Sequence, residues 1–228
     1  MTTYSDFDPE FLPIHAACRH ATMTSPERMY ALYQAVRYIV AADVPGDLAE
    51  CGVWRGGSVM AMAATLLACG RRDLRIFLYD TFDGMTAPSG RDLDPAGQPA
   101  AALLAGEPKG RESQIWSYAP LEEVVANLRS IGYPMENYRI VKGPVEATLP
   151  ATLPEALALL RLDTDWYEST RHELAHLYPR LASGGVLIID DYGHWRGSRQ
   201  AVDEYFAAGA AKILLNRVDY TGRIGVKP

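Results

Sequence analysis

The chain has 228 residues, of which 48% are hydrophobic, and a formal net charge of −6. That length and apolar content suit one α/β domain, residues 1–228, with a real core. The acidic balance, with no lysine- or arginine-rich run, argues against nucleic acid as a partner.

Cys18, Cys51 and Cys69 have no ligand-like spacing, and an odd, sparse count fits a reducing cytoplasm better than a disulfide scaffold. The longest apolar run, residues 59–69, is far short of the ~20 residues that cross a bilayer, so no membrane partner is expected. The first residues are acidic and lack the basic-then-apolar order of a signal peptide.

Residues 1–25, with Pro9, Pro13 and scattered aromatics, read as an irregular N-terminal arm packed on a partner subunit or at the mouth of a site. Ser25-Pro26-Glu27 opens a helix, because serine caps and proline suits the first turn. Met29, Leu32, Tyr33, Val36, Ile39 and Val40 then recur at helical spacing and read as core. Pro45-Gly46-Asp47 breaks that helix, and residues 48–53 form the first strand and its turn.

Trp54-Arg55-Gly56-Gly57-Ser58 leads into the helical run 59–69. Gly52, Gly56 and Gly57 permit a tight turn and close approach of a ligand to a helix N-terminus. The pattern is not G-x-G-x-x-G. It is closer to the acidic-x-Gly-x-x-x-Gly loop of S-adenosylmethionine (SAM) enzymes, and an ordinary strand–turn–helix joint fits these residues as well. Residues 75–80 form the second strand, ending in Asp80, where nucleotide folds place a ribose-binding acid. A cap or turn role is the alternative for Asp80, and the favoured one for Asp83.

Residues 84–118 turn Gly-, Pro- and polar-rich without sustained periodicity and read as a mobile lid. Trp116 and Tyr118 at its end are candidates for substrate contact or for packing. An amphipathic helix is predicted at 120–131, a strand at 138–143, a short helix and turn at 145–150 and a strand at 156–163. A helix at 168–180, a strand at 186–189 after Gly184-Gly185, and a helix at 198–208 follow. Segments 212–218 and 224–227 look like a closing hairpin. The alternation implies a doubly wound, mostly parallel sheet with an antiparallel C-terminal edge, of the Rossmann-like type.

Asp163 and Asp165 close one predicted strand, and Asp190 and Asp191 close the next. Carboxylates directly after buried runs are costly unless paired or bound to a cation, and strand carboxyl ends are where ligands bind in such sheets. Oxygen-only ligands suit a hard ion such as Mg²⁺ better than zinc. Helix capping accounts for one aspartate per strand end and leaves the other unexplained. His172-Glu173-Leu174-Ala175-His176 matches the zinc-peptidase pattern H-E-x-x-H. It lies in the connecting helix of a βαβ unit, Pro179 follows closely, and the extended glycine-and-histidine pattern is missing. A zinc metallopeptidase is therefore a remote alternative.

From about Ser25 onward the chain resembles the macrocin O-methyltransferase (TylF) family of SAM- and Mg²⁺-dependent sugar O-methyltransferases. Residues 46–58, 79–85, 162–167 and 189–194 carry the resemblance. It implies Asp163, Asp190 and Asp191 as metal ligands and Asp165 as general base, with His194 in reserve. It further implies that Glu50, Gly52, Gly56 and Ser58 hold the methionine end of SAM, that Asp80 holds the ribose, and that the turn from Gly143 to Glu146 borders the adenine. The implied partner is a small-molecule hydroxyl acceptor, a glycoside with vicinal hydroxyls, with self-association a further expectation. A catechol-type acceptor is the alternative, since it offers a metal a similar oxygen pair.

Overall fold

A computed structural model describes residues 6–209 and 212–228; the first five residues of the expected arm lie outside this range. Its seven strands are β1 (Asp47–Cys51), β2 (Ile76–Asp80), β3 (Tyr138–Lys142), β4 (Leu157–Leu162), β5 (Leu181–Ile189), β6 (Asn216–Arg217) and β7 (Arg223–Val226). They form one sheet in the order β3-β2-β1-β4-β5-β7-β6. β1 to β5 pair in parallel, β7 runs antiparallel to β5, and β6 antiparallel to β7. The strand order reverses between β1 and β4, which opens a crevice at their carboxyl ends.

The helices are α1 (Phe11–Cys18), α2 (Pro26–Ala41), α3 (Gly57–Ala68), α4 (Ala100–Gly106), α5 (Leu121–Ile131), α6 (Val145–Thr148), α7 (Tyr167–Leu177) and α8 (Arg196–Ala207). Successive strand side chains serve opposite layers, as the two-residue period of a strand requires. Leu48, Ile76, Leu78 and Ile188 pack beneath α1, α2, α3 and α5. Ala49, Phe77, Tyr79, Leu187 and Ile189 pack with Leu174 and Leu177 of α7 and Val202 of α8. The Ser25 hydroxyl caps α2 by accepting from the Arg28 amide at 3.2 Å, as the Ser-Pro-Glu signal predicts.

Three local expectations are corrected. The N-terminal arm is not irregular over its whole length: it holds α1, whose Phe11 and Cys18 are fully buried against the α2–α3 layer. Segment 84–118 contains α4. β5 begins at Leu181 rather than 186 and runs through Gly184 and Gly185, with its register against β4 stepping from Leu157↔Leu181 to Leu159↔Val186. Among the described residues, no helix is long and apolar enough to cross a membrane.

Candidate active site

The carboxyl ends of β1, β2, β4 and β5 open into a cavity of about 490 Å³. It is lined by Glu50, Gly52, Ser58, Asp80, Gly143, Glu146, Asp163, Asp165, Asp190, Asp191 and His194. Of the sequence-predicted site residues, only Gly56 stands outside the lining; it adopts φ +91° at the N-cap of α3.

On the β1–β2 side, polar groups are ordered by backbone. Asp80 Oδ2 accepts the amides of Val53 (2.6 Å) and Trp54 (3.0 Å), and Oδ1 accepts that of Phe82 (2.6 Å). Trp54 and Phe82 have φ of 48° and 50°, a left-handed conformation that side chains disfavour. One carboxylate therefore holds both strained turns. Burial still pushes Asp80 above its ordinary value, opposed by these three amides. Gly52 (φ +80°) is required by close approach, because a Cβ there would stand 1.9 Å from the Asp163 carbonyl oxygen. Glu50 is almost fully buried; burial raises its carboxyl to about 7, opposed by Arg161. Its Oε1 accepts from Arg161, whereas Oε2 is buried with no hydrogen-bond partner. An orphaned acidic oxygen beside a cavity is a place for a ligand's ammonium.

On the β4–β5 side the acids crowd one another. Asp163, Asp165 and Asp191 each offer an oxygen within 4.8 Å of the others. Burial, augmented by the neighbouring acids, raises Asp163 and Asp191 well above the usual carboxylate range; burial raises Asp165 to about 6, opposed by its hydrogen bond to Asp191 and reinforced by the Asp190 charge. Asp165 has φ 68°, and its amide donates to Asp191 Oδ2 at 3.2 Å. Three converging carboxylates, one buried and two half-buried, are the chemistry of a hard cation site. Asp190 does not join this trio: its Oδ1 accepts from Arg161 and its Oδ2 from Arg28. The converging set therefore contains Asp165 where the sequence reading placed Asp190.

Arg28 and Arg161 are functional neighbours that the sequence reading missed. Arg161 is 2% exposed and also donates to Asp163 Oδ2 (2.6 Å) and Thr24 Oγ1 (3.1 Å). Arg28 also donates to Asp219 Oδ2 (2.9 Å). A signal was present: an arginine inside the apolar run Leu-Leu-Arg-Leu must find buried anions. His194 sits at the rim of the cavity, with Nδ1 3.2 Å from the Tyr220 hydroxyl, and burial lowers its pKa.

The expected lid is fastened beside the acids. Asp92, fully buried, accepts the first amide of α7 (Tyr167, 2.7 Å) on Oδ1 and the amide and hydroxyl of Ser89 (2.6 and 2.8 Å) on Oδ2. The Trp166 indole donates to the Thr86 carbonyl at 3.1 Å, and Trp166, Trp195, Ala100 and Leu104 make a small core. Trp116 packs here, its indole donating to the Leu104 and Glu107 carbonyls.

The H-E-x-x-H segment does not form a zinc site. The His172 and His176 rings meet at a tilt of 57° with centroids 4.4 Å apart, and His172 Nε2 lies 3.1 Å from the Leu149 carbonyl. Glu173 instead turns into the core, fully buried, and accepts from the Thr164 hydroxyl. Among the described residues, the aspartate trio is the cluster able to hold an ion.

Residues 15–224 match the Macrocin-O-methyltransferase (TylF) family. The chain belongs to the TylF family. It is 36% identical over 217 residues to a Streptomyces olivaceus protein named 8-demethyl-8-(2,3-dimethoxy-alpha-L-rhamnosyl)-tetracenomycin-C 4'-O-methyltransferase, covering 95% of this chain and 79% of that one. Demethyldecarbamoylnovobiocin O-methyltransferase of Streptomyces niveus is 37% identical over 186 residues, covering 82% of this chain and 68% of the relative. The solved structure of the O-methyltransferase NovP superposes with a TM-score of 0.77 at 33% identity, covering 91% of this chain and 82% of NovP. This TylF-family chain is thus an O-methyltransferase on the Rossmann-like fold of SAM-dependent methyltransferases, with the antiparallel C-terminal strands predicted from sequence.

Proposed function

We propose that this enzyme transfers the methyl group of SAM to a hydroxyl of a sugar on a small natural product, assisted by a hard divalent ion such as Mg²⁺. The observation that carries the reading is the convergence of three carboxylates, Asp191 buried and Asp163 and Asp165 half-buried, beside the orphaned Glu50 oxygen, in one cavity at the switch point of the sheet. The Streptomyces olivaceus relative is named for methylation of a rhamnosyl-bearing tetracenomycin, which supports a sugar acceptor.

Glu50 Oε2 would accept the ammonium of the cofactor's methionine end, with Gly52 and Ser58 lining that pocket and Gly56 setting the turn behind it. Asp80 accepts from the ribose hydroxyls, and the turn from Gly143 to Glu146 borders the adenine. Asp163 and Asp191 belong to the ion site by both geometry and family pattern. The third ligand is Asp190 by that pattern, whereas the geometry offers Asp165. A bound ion would orient vicinal hydroxyls and acidify the attacking one. With Asp190 as the third ligand, Asp165 is free to take the hydroxyl proton, its raised proton affinity suiting a base near neutral pH. Residues 84–118 cover the acceptor side, and His194 with Tyr220 flanks the mouth. Holding donor and acceptor in line supplies much of the acceleration, since the sulfonium carbon is already activated.

Calorimetric titration of S-adenosylhomocysteine, followed by a screen of glycosides against catechols with and without chelator, tests this. Micromolar cofactor binding and chelator-sensitive methylation of a glycoside are expected. Turnover unaffected by metal stripping would remove the divalent ion, and methylation confined to catechols would remove the sugar. Asp165→Asn is expected to lower kcat roughly 10²–10⁴-fold while cofactor affinity holds; wild-type turnover would end its role as base.

A further inference from the structure

The glutamate of the H-E-x-x-H segment is a buried acid that the mechanism above does not use. Glu173 lies on α7 and is fully buried, with Oε1 accepting the Thr164 hydroxyl at 2.8 Å and Oε2 orphaned. Thr164 is the residue between Asp163 and Asp165. The turn it occupies is bound elsewhere too: the Asp163 amide donates to the Cys51 carbonyl (2.9 Å) and the Trp166 amide to the Thr164 carbonyl (2.7 Å). The Ser169 hydroxyl, also on α7, reaches the Thr164 carbonyl at 3.4 Å. Asp165 departs from this turn in a left-handed conformation, which persists only where surrounding contacts over-determine it.

We propose that Glu173 is a positioning residue for the Asp163–Asp165 turn, fixing through the Thr164 hydroxyl the geometry in which both carboxylates converge with Asp191. A buried glutamate placed only to stabilise α7 has no need to reach this turn. Hydrogen-bond partners behind metal ligands commonly set ligand aim, and losing one lowers metal affinity or activity about 10- to 100-fold. The same contact explains why a peptidase-like helix is useful in this enzyme without binding zinc: the glutamate faces inward, to the β4 end, while the histidines pair outside.

The inference rests on the divalent-ion reading, so wild-type protein is the first arm of the test. Mn²⁺ affinity is measured by electron paramagnetic resonance, S-adenosylhomocysteine affinity by calorimetry, kcat separately from KM, and thermal midpoint as a control. In Glu173→Leu and Thr164→Val, Mn²⁺ affinity and kcat are expected to fall about tenfold while S-adenosylhomocysteine affinity stays within twofold. Glu173→Gln, which keeps the acceptor oxygen, is expected to restore both. Unchanged Mn²⁺ affinity and kcat in folded Thr164→Val would overturn the inference. So would a parallel loss of S-adenosylhomocysteine binding, or a Glu173→Gln variant as impaired as Glu173→Leu. Wild-type protein that binds no Mn²⁺ would overturn the divalent-ion reading itself, and this inference with it.

Discussion

Asp80 and Asp191 both stand at carboxyl ends of strands in one sheet, but their surroundings differ. Asp80 is met by three backbone amides, and its charge is answered by the turns it organises. Asp191 accepts the Asp165 amide at 3.2 Å and faces two further acids. The β1–β2 half of the cleft answers Asp80 with its own amides and leaves one acidic oxygen, Glu50 Oε2, unpartnered, whereas the β4–β5 half crowds three acids whose charge a cation would balance. A ligand arriving at the first half meets ordered turns and a single open acceptor. One arriving at the second half also relieves repulsion.

The sharpest break in this contrast is Asp191→Ala. Loss of an ion ligand should lower kcat about a thousandfold or more, a change of several kcal/mol, with S-adenosylhomocysteine affinity retained. The same variant should raise the thermal midpoint of chelated protein, because one of three repelling carboxylates is gone. A lower midpoint would mean that the trio is not strained. Mn²⁺ binding in Asp190→Ala against Asp165→Asn then identifies the third ligand, the weaker binder marking it.

Glu50 gives the next effect, through pH. Its folded carboxyl near 7 keeps a proton that the unfolded group, near 4.5, has released. Its contribution to stability is complete below about 4.5 and is lost as pH rises through about 7. Arg161 of β4 opposes this shift, and Asp190 after β5 and Asp80 of β2 reinforce it. Cofactor-free protein should therefore melt lower at pH 8 than at pH 5, and Glu50→Gln should flatten that slope. S-adenosylhomocysteine affinity should climb over the same window as the carboxylate ionises; a flat profile would remove Glu50 as the ammonium acceptor.

Asp92→Ala tests the fastening of segment 84–118. It strands the Tyr167 amide and both Ser89 donors, and should cost about 1–3 kcal/mol in denaturant unfolding. No loss would mean that water replaces the carboxylate. The smallest effect on turnover belongs to the half-buried histidines: His172→Gln with His176→Gln should leave kcat within about twofold, because neither ring lines the cavity. A large loss would reopen a role for that helix face in the reaction.

Strand ends, glycine turns and caps were legible in sequence because each is a local signal: Ser25 before Pro26, Gly52 after Glu50, acids after apolar runs. α1 was not, because Pro13 reads as a breaker. In the structure α1 begins at Phe11, so Pro13 falls in the first turn, where a missing amide costs nothing. α4 spans seven residues, too few for periodicity to show. The orientation of Asp190 depends on Arg28, 162 positions away, and that of Asp92 on Tyr167, 75 away. No local pattern encodes such pairs. The aspartates could be found from sequence, but which of them face one another could not.

The cavity wall facing the acids is assembled from residues 21–24, 84–86, 114, 115, 117, 194–195 and 220–221, all outside the strands. One of these pieces is locked to the cofactor turn, since a Cβ on Gly57 would stand 2.5 Å from the Ala21 carbonyl oxygen. Another is locked to the end of β5, where the Thr221 hydroxyl donates to the Asp190 carbonyl at 2.7 Å and a Cβ on Gly193 would stand 1.9 Å from the Tyr220 carbonyl oxygen. The wall of the pocket is thus tethered to its floor at two points, and a change in either loop is felt at a strand end.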